Sequence, residues 1–121
     1  MPYEVSADLE RGFVHLRYFG VVDLATRLKA RDEVFALCRT HRISRTLVET
    51  QDSDIVMSVQ DITRFGTSFK SIGLPQGYHV ATVIAPGDEV GPLLEIIAAI
   101  DGLNIKLFLD KAEALHWVTA F

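Results

Sequence analysis

The chain has 121 residues, of which 49% are hydrophobic and 23% charged, and its formal net charge is −4. That length suits one domain, expected to span residues 1–121, and the composition excludes a disordered, tail-like chain. The acidic balance argues against nucleic acid, whose phosphates reward a basic surface. A single cysteine, Cys38, cannot form an internal disulfide and suits a reducing compartment, so a cytoplasmic location is expected. Met1-Pro2-Tyr3-Glu4 lacks the basic stretch and apolar core of a secretory signal. No purely apolar run is longer than that from Ile96 to Ile100, which is too short to span a bilayer, so no transmembrane segment is expected.

Tyr3, Val5 and Ala7 alternate with Glu4, Ser6 and Asp8, the period-2 pattern of a half-buried strand. Glu10-Arg11-Gly12 turns the chain, with Gly12 free to take positive φ. Val14, Leu16 and Tyr18 then line one face of a second strand, opposite Phe13, His15, Arg17 and Phe19. The short loop predicts an antiparallel hairpin. Gly20 closes the second strand, and Asp23 is placed to cap a first helix. Leu24, Leu28, Val34, Phe35, Leu37 and Cys38 form that helix's apolar stripe; Arg27, Lys29, Arg31, Asp32 and Glu33 fall on its wet side. Arg39, His41, Arg42 and Arg45 gather at its end, where cations complement the helix dipole and could also meet anionic headgroups.

A third strand is predicted over Thr46 to Thr50, followed by a polar loop, Gln51-Asp52-Ser53-Asp54. Ser58 and Asp61 resemble a capping box. Val59, Ile62, Phe65, Phe69 and Ile72 step along a second helix that Gly73 and Pro75 stop. A strand from His79 to Ala85 leads through Pro86-Gly87-Asp88 into a third helix ending near Asp101-Gly102. The last unit is a strand from Asn104 to Leu109 and a helix opened by Asp110 and Glu113. Strands joined by helices should be parallel, with right-handed crossovers. Ile105, Leu107 and Leu109 alternate with Asn104, Lys106 and Phe108, whereas a sheet covered on both faces reads as continuous apolar runs. One face should therefore be well covered by helices and the other only partly.

This element order, with Asp52-Ser53 after the third strand, resembles the STAS superfamily, named for sulfate transporters and anti-sigma factor antagonists. Within it the chain is similar to the bacterial SpoIIAA-like branch of short stand-alone domains. The residues that carry the resemblance are Gly12-Phe13-Val14, Gly20-Val21-Val22, Val80 to Pro86, Gly102-Leu103-Asn104-Ile105-Lys106-Leu107-Phe108 and Glu113-Ala114-Leu115-His116-Trp117. The resemblance implies an α/β fold: a five-stranded mixed sheet, hairpin first and then β-α repeats, with four helices mainly on one face. That fold is shared with CRAL-TRIO lipid-carrier domains, which implies an apolar ligand. Anti-sigma antagonists carry an Asp-Ser-Ser-Gly-type loop whose second position is phosphorylated by a partner kinase. Here the loop reads Asp52-Ser53-Asp54-Ile55, without the second Ser or the Gly, and a phosphate on Ser53 would sit between two carboxylates.

Ser53 and Ser58 are candidate phosphate acceptors, although turn formation and helix capping already explain both. The loop Pro86-Gly87-Asp88 and Asp110 should share the sheet edge where α/β folds bind ligands. In the third helix only Glu95 is strongly polar between Pro92 and Ile100, which fits burial, a homodimer interface, or the wall of a pocket or membrane-contacting lid. Phe65, Phe69, Leu93, Leu94 and Ile97 are accordingly the candidate lining of an apolar pocket, with core packing as the alternative. His15, His41, His79 and His116 fall at no metal-ligand spacing, and Cys38 lies on an apolar stripe as an inert thiol. There is no glycine-rich phosphate loop and no Gly-x-Ser-x-Gly elbow, so no catalytic residue, metal or cofactor is expected. The reading is a non-catalytic binding or regulatory module for an apolar or amphipathic small molecule or lipid, in the cytoplasm or at the inner membrane surface, with a homodimer and a protein partner as further expectations. The alternative is a phosphorylation-controlled protein–protein switch.

Overall fold

The computed structural model describes residues 2–120. A hairpin opens the chain: β1 (Tyr3–Asp8) and β2 (Phe13–Val22) run antiparallel, with Tyr3 opposite Tyr18 and Asp8 opposite Phe13. Gly12 turns the chain at φ 77°, and the Asp8 carboxylate accepts from Arg11 N at 2.9 Å and Arg11 Nε at 2.8 Å. Then follow α1 (Leu24–His41), β3 (Arg45–Ile55), α2 (Val59–Thr67) with a 3₁₀ turn over Ser68–Ser71, and β4 (His79–Val83). The chain continues with α3 (Val90–Ile100), β5 (Asn104–Phe108) and α4 (Lys111–Thr119). The sheet order is β1-β2-β3-β4-β5, and every pair after the hairpin is parallel.

The two faces are covered unequally, as the strand patterns predict. Leu16, Tyr18, Val48 and Val80 face α1, α2 and α3. Phe13, Leu47, Ala81 and Val83 pack on the opposite face against Ala114 and Val118 of α4. Beyond the reach of α4, Arg17 is exposed and Phe19 is half-buried.

Helix starts follow their caps. Asp23 Oδ1 accepts from Thr26 N at 2.9 Å to begin α1. Ser58 and Asp61 form a reciprocal capping box at 3.1 and 3.2 Å, and Asp110 Oδ1 accepts from Ala112 N at 3.1 Å. Asp88 supplies the start of α3, accepting from Val90 N and Gly91 N at 3.0 and 3.1 Å.

Three expectations need correction. Gln51-Asp52-Ser53-Asp54 is not a loop but the second half of β3, because β2 runs past Gly20 to Val22 and offers it a partner. Asp52 pairs with Phe19, Ser53 with Gly20, and Ile55 with Val22, after a register irregularity between Arg17 and Phe19. The segment is polar because β4 ends its pairing at Val83 opposite Glu49, leaving the extension beside one neighbour only. The second helix narrows to a 3₁₀ turn at Ser68, whose hydroxyl bonds back to the Phe65 carbonyl at 2.6 Å. Arg27, assigned to the wet side of α1, is buried at 5% exposure.

Candidate ligand-binding cavity

Residues spaced at i, i+4, i+7 and i+8 share one helix face, so α1 turns Arg27, Arg31, Val34 and Phe35 toward the sheet together. Opposite them α2 supplies Phe65, the 3₁₀ turn supplies Phe69, and α3 supplies Leu94 and Ala98. With Leu16, Tyr18, Val48, Val80 and Ile105 beneath, these side chains enclose a cavity of about 50 Å³. That is room for one or two waters or a small ligand group. Its aromatic wall is interlocked: Phe65 and Phe69 meet edge-on with centroids 5.2 Å apart, and Phe35 touches Phe69 and Tyr78 at 6.0 and 5.1 Å.

Phe65, Phe69 and Leu94, of the pocket residues named from the sequence, line this cavity. Leu93 and Ile97 do not; they are half-buried in the adjoining cluster that holds α2 against α3. Gly66 permits that contact, since a Cβ there would lie 2.6 Å from Ile97 Cγ2.

Arg27 is the feature that reading by residue type missed. Its guanidinium lies 4.7 Å from the Phe65 ring centroid and 5.2 Å from that of Tyr18. No carboxylate among the described residues pairs with it, and Nε is buried without an acceptor. A desolvated cation–π contact contributes about 2 kcal/mol, whereas burying an ion costs several. The Tyr18 hydroxyl also bonds to the guanidinium, and Nε alone is left without an acceptor. Arg31 differs: Nη2 donates to Asp32 Oδ1 at 2.7 Å and Nη1 to Ser68 Oγ at 2.5 Å. Burial pushes the Tyr18 hydroxyl above its ordinary pKa, with Arg27 opposing, and pushes Tyr78 up as well; Tyr78 shares a 2.5 Å hydrogen bond with Thr46 Oγ1. The signal for Arg27 was its position. It stands between Leu24 and Val34 on the arc that carries Leu28, Phe35 and Cys38.

The two candidate serines are placed apart from this cavity. Ser53 lines an open cleft of about 370 Å³ at the carboxyl edge of the sheet, together with Asp54 and the segment 85–90. Its hydroxyl donates to the Thr50 carbonyl at 2.7 Å. Asp54, Asp88 and Glu89 make the cleft acidic, and Asp110 is not among its lining. Ser58 is the exposed cap of α2.

A polar cluster on the opposite face also escaped the sequence reading. Glu49, 2% exposed, bonds to His15 Nε2, accepts from Gln51 Nε2 at 2.7 Å, and lies 3.4 Å from Lys111 Nζ. Burial pushes its carboxyl up, but Gln51, His15 and Lys111 outweigh this and hold it below the usual carboxylate range. A glutamate inside Thr46-Leu47-Val48-Glu49-Thr50 was the available signal. Among the described residues no group of three or more His, Cys, Asp or Glu side chains could hold a metal ion. No helix there is long and apolar enough to cross a membrane.

Two solved structures share this architecture. One is an uncharacterised protein of the DUF3478 family from Shewanella loihica PV-4, with a SpoIIAA-like fold; it is 14% identical, with TM-score 0.60, over 96% of this chain and 91% of that one. The other is the Bacillus cell fate determinant SpoIIAA in its phosphorylated form; it is 11% identical, with TM-score 0.56, over 96% of this chain and 98% of that one. No family model matches the sequence, and no curated protein matches it. The chain has a SpoIIAA-like fold, a five-stranded mixed sheet with four helices.

Proposed function

We propose that the protein is a non-catalytic binding or regulatory module that takes an apolar or amphipathic small molecule between the sheet and α1, α2 and α3. The observation that carries this reading is the cavity at the convergence of those helices, walled by Phe65, Phe69 and Leu94. Its small volume implies that α2 and the 3₁₀ turn move outward when a larger ligand enters. Native mass spectrometry of the protein purified without detergent tests the reading. Extra non-covalent mass in the range of a small amphiphile or lipid is the expected result; a bare species after incubation with such compounds would overturn it. The same spectra report whether two copies associate, for which the exposed Ile96 and Ile100 on α3 are the candidate surface.

A phosphorylation-controlled switch is the second reading. Its support is the likeness to phosphorylated SpoIIAA and the position of Ser53 in an open cleft. Incubation with ATP and lysate kinases, followed by site mapping, decides it: phosphate on Ser53 or Ser58 would establish the switch, and an unmodified chain would retire it.

A further inference from the structure

The cavity wall is apolar apart from a few hydroxyls and two guanidinium groups, and no acidic side chain lines it. Arg31 is already held by Asp32 and Ser68, whereas Arg27, with the Tyr18 hydroxyl beside it and Asp88 across a small adjoining pocket, keeps a buried Nε–H with no acceptor. We infer that the cavity receives the carboxylate of a monovalent organic acid, bound at Arg27, with the acid's apolar body against Phe65, Phe69 and Leu94. This rests on the ligand-binding reading above and names the ligand's class.

The chemistry selects the class in three steps. A guanidinium edge matches a planar carboxylate through parallel N–H bonds, and Arg27 Nε is a buried donor with nothing to donate to. One positive charge is neutralised by one negative charge, so a dianionic phosphate ester would leave a net charge buried. A zwitterion would need an acidic partner that the wall lacks. A cavity of about 50 Å³ admits the carboxyl group and the first carbons of such an acid.

The test uses the full chain, shown to be ligand-free by native mass spectrometry, titrated with hexanoate and separately with 1-hexanol, while the Arg27 Nε–H resonance is followed by ¹⁵N NMR. Hexanoate is expected to shift that resonance strongly and to bind about 30-fold more tightly than the alcohol, the range of one charge-assisted hydrogen-bonded pair. Arg27→Gln is expected to bring hexanoate down to the affinity of the alcohol; should that variant not fold, the wild-type resonance still decides. If the alcohol binds equally well and Arg27 does not respond, the pocket stands and the acid is wrong. If chloride alone saturates the shift and hexanoate cannot displace it, the site is for an inorganic ion and the inference falls. Failure of both compounds to bind at millimolar concentration overturns the pocket reading and the inference together.

Discussion

Glu49 keeps a carboxylate on a strand whose neighbours in sequence, Leu47 and Val48, are core residues. Its three partners come from β2, from β3 itself and from the first turn of α4, so the cluster ties α4 to the sheet electrostatically. Because the folded carboxyl titrates below its ordinary value, it contributes stability above that value and loses it as pH falls through the folded pKa. The urea midpoint is therefore expected to drop on acidification through the carboxylate range, and Glu49→Gln to flatten that drop. The substitution is also expected to cost about 1–3 kcal/mol at neutral pH, measured by urea denaturation. Glu49 and Arg27 were the least legible residues in the sequence for the same reason. Period and residue type assign charged side chains to water, and only the converging layers show that these two stay dry.

The start of α2 and its seam with α3 are determined by two small residues. Ser58 caps the helix through the Asp61 amide, and Ser58→Ala is expected to destabilise the protein by about 1 kcal/mol in equilibrium unfolding. Gly66→Ala would ordinarily favour a helix, by up to about 1 kcal/mol. Here the new methyl meets Ile97 Cγ2, a β-branched side chain with little freedom to turn away, so a net loss of about 1–3 kcal/mol is expected. Ile97→Ala in the same chain should recover part of it, and a double-mutant cycle by urea denaturation measures the coupling. The capping box was legible because it is local. The continuation of β3 through Ser53 was not, because a polar segment becomes a strand only when a neighbouring strand reaches it, here Gly20 to Val22. That also places Ser53 in a ladder rather than at a helix start.

The order of elements was readable from strand alternation together with helix stripes and caps, and the uneven cover of the sheet from strand alternation, since side-chain period reports which faces are wet. The cavity was not, because its volume is what remains after three helices and a sheet have packed, and no local pattern encodes a remainder. Both faces share one sheet, so loss of either layer should unfold the other. Trp117, the single tryptophan, reports the α4 side, where it packs against Phe108 at 5.9 Å. Its fluorescence and far-UV circular dichroism are expected to give one urea midpoint. An earlier fluorescence transition would mean that α4 detaches first.

The identity of strand order and chain order bears on how the molecule is made. No strand has to be inserted between two that are already paired, so a chain leaving the ribosome can add each strand to the growing edge as it emerges. The exception is α4, which follows every strand yet covers Leu47, Ala81 and Val83. Until it is synthesised the nascent sheet carries an uncovered apolar strip, and this is the interval in which a chaperone would find the chain.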